Sequence, residues 1–107
     1  MNYKNINFEE AWDILNSDPS SVILDVREDF EYATGHAVNA VLFPIDDINE
    51  KSAAEMLPNK NSAILIYCRT GNRSQEAAEY LSSIGYTNIY DIGSLVDWPY
   101  GLEYGLD

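Results

Sequence analysis

Two short apolar runs, Val22-Ile23-Leu24-Asp25-Val26 and Ala63-Ile64-Leu65-Ile66-Tyr67, constrain the fold of this chain more than any other feature. Both are rich in β-branched residues and neither alternates apolar with polar positions. A strand with one wet face alternates; a strand covered on both faces reads as a continuous apolar run. Each run therefore belongs inside a mostly parallel sheet. Parallel neighbours need long crossovers, which are usually helices.

The intervening segments supply them. Asn7 to Asn16 reads as a helix, with Asn7 as cap and Glu10 three residues on as in a capping box. Phe8, Ala11, Trp12 and Leu15 form its apolar face. Asp18 to Ser21 is a turn. Glu28 to Thr34 is a short helix stopped by Gly35, and Ala40 to Phe43 is a strand ended by Pro44. Asp46 or Asp47 caps a helix reaching about Met56, with Glu50 among the acids its dipole favours. Ser74 to Ile84 is a helix with Ala77, Ala78, Leu81 and Ile84 inward, ended by Gly85. Asn88 to Ile92 is a last strand. The expectation is an α/β fold, one domain spanning 1–107, with Gly93 to Gly105 irregular and the tail 99–107 wrapping the surface.

The chain carries 18 acidic against 6 basic residues, a net charge of −12. Such a surface excludes general nucleic-acid and anionic-membrane binders. Two of the three arginines nevertheless sit beside the single cysteine, in Cys68-Arg69-Thr70-Gly71-Asn72-Arg73-Ser74. An anion site in so acidic a chain has to be local, built from backbone N–H groups and a few arginines. Cys68 ends an apolar strand, where ligands of open α/β sheets bind. The residues after it can turn their N–H groups inward as an anion nest. The helix starting near Ser74 adds its positive end, and Gly71 permits a tight turn. All of this favours a thiolate. The sole histidine, His36, follows Gly35 in a separate loop, so Cys68 has no His partner and its activation is electrostatic. A cysteine that merely filled the core would not be flanked by two arginines, which are costly to bury.

One cysteine forms no intrachain disulfide. The first 30 residues hold no apolar signal-peptide core, and no stretch reaches the ~20 apolar residues of a membrane span. These features point to a cytoplasmic, reducing compartment. His36 has neither a second His nor a nearby Cys, so no metal site is expected, and no cofactor.

The segment Cys68 to Ser74 resembles the active-site loop of rhodanese-homology domains, the thiosulfate sulfurtransferases. Leu24-Asp25-Val26-Arg27-Glu28-x-x-Glu31-Tyr32-x-x-Gly35-His36 is similar to a second signature of that family, followed by Ala40 and Pro44. The stretch from Gly85-Tyr86 to Trp98 resembles a third. The likeness covers about residues 3 to 100. It departs from the family at Asn39 and Ser94, where glycine is usual, and at Pro99.

The resemblance implies a five-stranded, mostly parallel sheet with helices on both faces. It implies that Cys68 takes the outer sulfur of thiosulfate or a related small anion as a persulfide and passes it to a thiol or cyanide-like acceptor. Arg69 and Arg73 would attract the donor, Thr70 and Ser74 would add hydroxyl contacts, and the N–H groups of the loop, Gly71 and Asn72 included, would hold the outer sulfur. A module that relays persulfide to a protein partner is the alternative. Cysteine phosphatases and arsenate reductases use Cys-x5-Arg to cradle a tetrahedral oxyanion. The spacing here is Cys-x4-Arg, which suits a single sulfur atom. Asp25 and Arg27 line the pocket or support it structurally, Arg27 pairing with Asp25, Glu28 or Glu31. His36 orders its loop, and Trp98 packs at the rim or in the core.

Overall fold

A computed structural model describes residues 2–106. In chain order the elements are β1 (Tyr3–Asn5), α1 (Phe8–Ser17), β2 (Val22–Asp25), α2 (Asp29–Ala33), β3 (His36–Ala37) and β4 (Val41–Leu42). A 3-10 turn (Ile45–Asp47) follows, then α3 (Glu50–Met56), β5 (Ile64–Cys68), α4 (Asn72–Ser83), β6 (Ile89–Ser94) and β7 (Leu102–Glu103). Five strands form one sheet in the order β1-β6-β5-β2-β4, and every pair in it is parallel. β3 and β7 form a separate antiparallel ribbon.

The continuous apolar runs have the expected cause. All five residues of β5 are buried. Alternate side chains serve two cores, because successive residues of a strand point to opposite faces. Ile64, Ile66 and Cys68 pack with Leu24, Ala53, Leu57, Ala77, Ala78 and Leu81, under α3 and α4. Leu65 and Tyr67 pack with Ile23, Ala11, Ala37 and Trp98, under α1 and the ribbon. Leu65 and Ile66 are both fully covered, and burial of each contributes about 1.5–3 kcal/mol. The helix α1 forms where expected, its capping box closed by Asn7 and Glu10.

Several boundaries differ from the expectation, each for a local reason. β1 has no apolar signature because it is a three-residue edge strand with Lys4 and Asn5 exposed. Asp46 and Asp47 do not start α3. They lie in the 3-10 turn after Pro44, and the cap is Asn49, whose side chain accepts the Ser52 N–H while the Ser52 hydroxyl accepts the Asn49 N–H. α4 begins at Asn72 rather than Ser74. β4 is confined to Val41–Leu42, and β6 runs on to Ser94 past a register irregularity opposite Ile66 and Tyr67. Trp12 lies on the rim of the α1 face, 37 % exposed, and stacks on Tyr100. No helix of the described residues is long and apolar enough to cross a membrane.

From β2 the chain moves outward to β4, and from β5 it moves the other way to β6. Adjacent strands whose connections diverge leave a crevice at their carboxyl ends. Asp25 ends β2 and Cys68 ends β5, so both signature segments arrive at this crevice.

Candidate active site

Cys68 is fully covered, and its Sγ lies at the base of the loop that follows. The Gly71 N–H donates to Sγ at 3.0 Å and the Ser74 N–H at 3.4 Å. Both are among the first N–H groups of α4 or its cap, which the helix itself leaves unsatisfied. Gly71 is the N-cap, with φ +98°. A Cβ there would meet nothing closer than the Gly93 Cα at 3.8 Å, so the dihedral, rather than space, requires glycine. The loop is pinned from β6: the Ser94 hydroxyl donates to the Arg69 carbonyl at 2.5 Å, and the Leu95 N–H donates to the Cys68 carbonyl at 2.9 Å.

The loop side chains divide sharply. Thr70 and Asn72 are exposed. Ser74 is fully buried and its hydroxyl donates to the Gly71 carbonyl at 3.1 Å, so Ser74 faces sulfur through its backbone N–H. Arg73, expected to attract an anion, is held instead by Glu31 of α2, Nη1 to Oε1 at 2.6 Å and Nη2 to Oε2 at 2.9 Å. The hydrogen bonds from Arg73 hold the Glu31 carboxyl down at about 2, against an ordinary value of 4.5. Arg69 is exposed and makes no ion pair with any described residue. Glu31 was in the signature segment, but nothing local marked it as the partner of a residue 42 positions away.

Behind the loop lies a closed polar cluster. Asp25, with no exposure, accepts from the Arg27 N–H at 3.0 Å, from Arg27 Nε at 2.9 Å, from Nη2 at 2.6 Å and from the Tyr67 hydroxyl at 2.6 Å. Arg27 Nη2 also donates to the Gly35 carbonyl at 2.8 Å. The Tyr67 hydroxyl in turn accepts the Ala37 N–H at 3.1 Å. Burial, then the Asp25 charge, pushes the Tyr67 phenol far above its ordinary range, so it remains a donor. Of its three possible partners, Arg27 thus takes Asp25. His36 donates from Nδ1 to the Tyr32 carbonyl at 2.8 Å and stacks on the Tyr32 ring, ordering its loop. On β6, burial raises the Asp91 carboxyl, which accepts the Gly93 N–H at 2.8 Å. Trp98 is 8 % exposed and packs edge-on against Phe8 and Tyr100.

Above the strand ends, an open cavity of about 500 Å³ has Arg27, Glu31 and Arg69 on one side. Leu95, Val96, Trp98 and Leu102 also line it, with Thr34 and Asp97. Asn39, where the family usually has glycine, holds φ +69°, a left-handed conformation asparagine tolerates better than most residues.

A parallel α/β sheet ending in a cysteine, with a turn and helix start aimed at its sulfur, defines a class of anion-cradling thiol domains. The family model for the Rhodanese-like domain matches residues 7–99, and the chain belongs to that family, the sulfurtransferase family. It is 35% identical over 74 residues to thiosulfate sulfurtransferase PspE of Escherichia coli (strain K12), covering 69% of this chain and 70% of PspE. It is 34% identical over 84 residues to the tRNA uridine(34) hydroxylase of Photorhabdus laumondii subsp. laumondii, covering 75% of this chain but only 24% of that protein. The chain therefore spans about a quarter of the length of those hydroxylases. Among solved structures, a rhodanese with anions from E. coli superimposes with a TM-score of 0.73 at 32% identity, covering 79% of this chain and 99% of that one.

Proposed function

We propose that this protein moves a sulfane sulfur from thiosulfate, or a related small anionic donor, to a thiol or cyanide-like acceptor through a persulfide on Cys68. The observation that carries this reading is the pair of backbone N–H groups, from Gly71 and Ser74, converging on the Cys68 sulfur. Preorganised donors of this kind stabilise charge where it develops, without reorganising during reaction. The Cys68 thiolate attacks the outer sulfur of thiosulfate, the S–S bond of the donor breaks, and sulfite leaves with the electron pair. The acceptor then attacks the outer sulfur of the persulfide and restores the thiolate. Cys68 is fully covered in this conformation, so its sulfur must become exposed before it meets a donor.

The short Cys-x4-Arg loop supports sulfur transfer over phosphoryl chemistry, and the loop itself carries no acidic residue to protonate a departing alkoxide. A second reading, in which Cys68 relays persulfide to a protein partner, draws support from relatives that carry a matching segment as a quarter of a longer protein. Intact mass after incubation with thiosulfate tests the proposal. The expected result is a gain of one sulfur atom, removed by cyanide and absent in Cys68→Ser. No gain in the wild-type protein, with turnover of an aryl phosphate, would overturn it.

A further inference from the structure

Three carbonyls of the loop after β5 are held by other groups, and that decides where the N–H groups behind them point. A trans peptide is planar and directs its C=O and N–H to opposite sides. A donor that holds one carbonyl therefore orients the N–H of the next residue. The Leu95 N–H donates to the Cys68 carbonyl at 2.9 Å, which sets the Arg69 N–H. The Gln75 N–H, at 3.2 Å, and the Ser74 hydroxyl, at 3.1 Å, donate to the Gly71 carbonyl, which sets the Asn72 N–H. The Ser94 hydroxyl donates to the Arg69 carbonyl at 2.5 Å, which sets the Thr70 N–H. The first two peptides keep a backbone donor whatever the side chains are. The third rests, among the described residues, on one side chain.

Ser94 is itself prepared for this bond. Its Oγ accepts the Val96 N–H at 3.1 Å, which leaves its one proton for Arg69. Along β6, Asp91 is opposite Ile66 but Gly93 is opposite Tyr67, so Ile92 is an extra residue ahead of Ser94. A slip of one residue turns the side chains after it to the other face, which is how such an irregularity re-aims a group beside a site. The bond belongs to this chain, because Ser94 stands where glycine is usual in the family.

We propose that Ser94 is a positioning residue for sulfur transfer: it fixes the Arg69–Thr70 peptide so that the Thr70 N–H faces the transferred sulfur, beside the N–H groups of Gly71 and Ser74. This rests on the sulfurtransferase reading. As the Cys68 thiolate bonds to the outer sulfur of thiosulfate, the S–S bond of the donor breaks and sulfite leaves with the bonding pair. The negative charge that stays behind is on the outer sulfur of the persulfide. An N–H already held toward that charge needs no reorientation during the step. Without the Ser94 hydroxyl the peptide is free to rotate, and its carbonyl, the negative end of the dipole, turns toward the sulfur for part of the time.

The test follows persulfide formation by intact mass in single turnovers over a range of thiosulfate concentrations. It compares the wild-type protein with Ser94→Ala, Ser94→Gly and Ser94→Thr. Losing one hydrogen bond to a charged group should slow the step about tenfold. The expected result is that fall in the rate at saturating thiosulfate in Ser94→Ala and Ser94→Gly, with the half-saturating concentration within about twofold of the wild type. Ser94→Thr keeps the hydroxyl and should recover the rate to within about threefold. Ser94→Ala and Ser94→Gly remove the hydroxyl independently, so a folding defect in one leaves the other to decide. An unchanged rate in both, or a faster one that marks Ser94 as a mere cover over Cys68, would overturn the inference and leave the sulfurtransferase reading intact. An equal loss in Ser94→Thr would overturn it as well. Failure of thiosulfate to load the wild-type protein would remove both.

Discussion

Two arginine sites meet at one end of the sheet and are built on opposite rules. Arg27 is 7 % exposed, bound to Asp25 through its side chain and backbone, and tied to the ribbon through the Gly35 carbonyl. Arg69 is exposed and pairs with no described acid. The first has its charge paired and its Nε and Nη2 hydrogen-bonded, and the second has no acid partner to give up on meeting a ligand. Arg73 lies between them. It sits in the reactive loop, as a substrate-binding residue would, yet its bidentate bond to Glu31 gives it the character of Arg27. Placement in the loop alone therefore does not distinguish Arg69 from Arg73; their partners do.

The largest expected effect breaks the compensated side. Asp25→Ala leaves a buried guanidinium without its carboxylate and the Tyr67 hydroxyl without its acceptor. Removing one member of a buried pair costs about 3–5 kcal/mol, against a typical total of ~5–15 kcal/mol. A fall in thermal midpoint on the order of 15 °C follows for a domain of this size. A midpoint within a few degrees of the wild type, measured by calorimetry, would show that the cluster is not holding the strand ends together.

A smaller effect sharpens the intermediate case. Glu31 is held at about 2 in the folded protein, below its ordinary value of 4.5. A depressed carboxyl contributes stability that is complete above the ordinary value and is lost as pH falls through the folded one. The pair is partly wet, Arg73 31% and Glu31 15% exposed at their side chains, so its worth is about 1 kcal/mol. Glu31→Gln should lower the thermal midpoint by about 4 °C at pH 7, and the gap should close between pH 5 and pH 2. A gap that stays constant over that range would mean the carboxylate charge is not what Arg73 requires.

What the sequence made legible follows from how far apart the interacting residues are. The strands β2 and β5, the Cys68 loop and the α1 cap depend on neighbours within a few positions, and each could be read from local pattern. The Arg27 pairing was one of three short-range options. The Glu31–Arg73 and Asp25–Tyr67 contacts join residues 42 positions apart, and only the sheet order brings them together. β1, β3 and β7 span two or three residues each, too few for a period to show. The start of α3 is ambiguous in sequence because three residues before it, Asp46, Asp47 and Asn49, are all good caps. The reciprocal bond with Ser52 decides for Asn49.

We propose that Arg69 serves the donor while Arg73, paired with Glu31, serves the fold. The direct test measures the Michaelis constant for thiosulfate and the thermal midpoint in Arg69→Ala and Arg73→Ala, side by side. Losing one charge-assisted contact of about 1.5 kcal/mol raises the constant about tenfold. That rise is expected in Arg69→Ala with a midpoint within about 1 °C of the wild type, and a midpoint lowered by about 4 °C is expected in Arg73→Ala. A raised Michaelis constant with an unchanged midpoint in Arg73→Ala, and unaltered kinetics in Arg69→Ala, would contradict it.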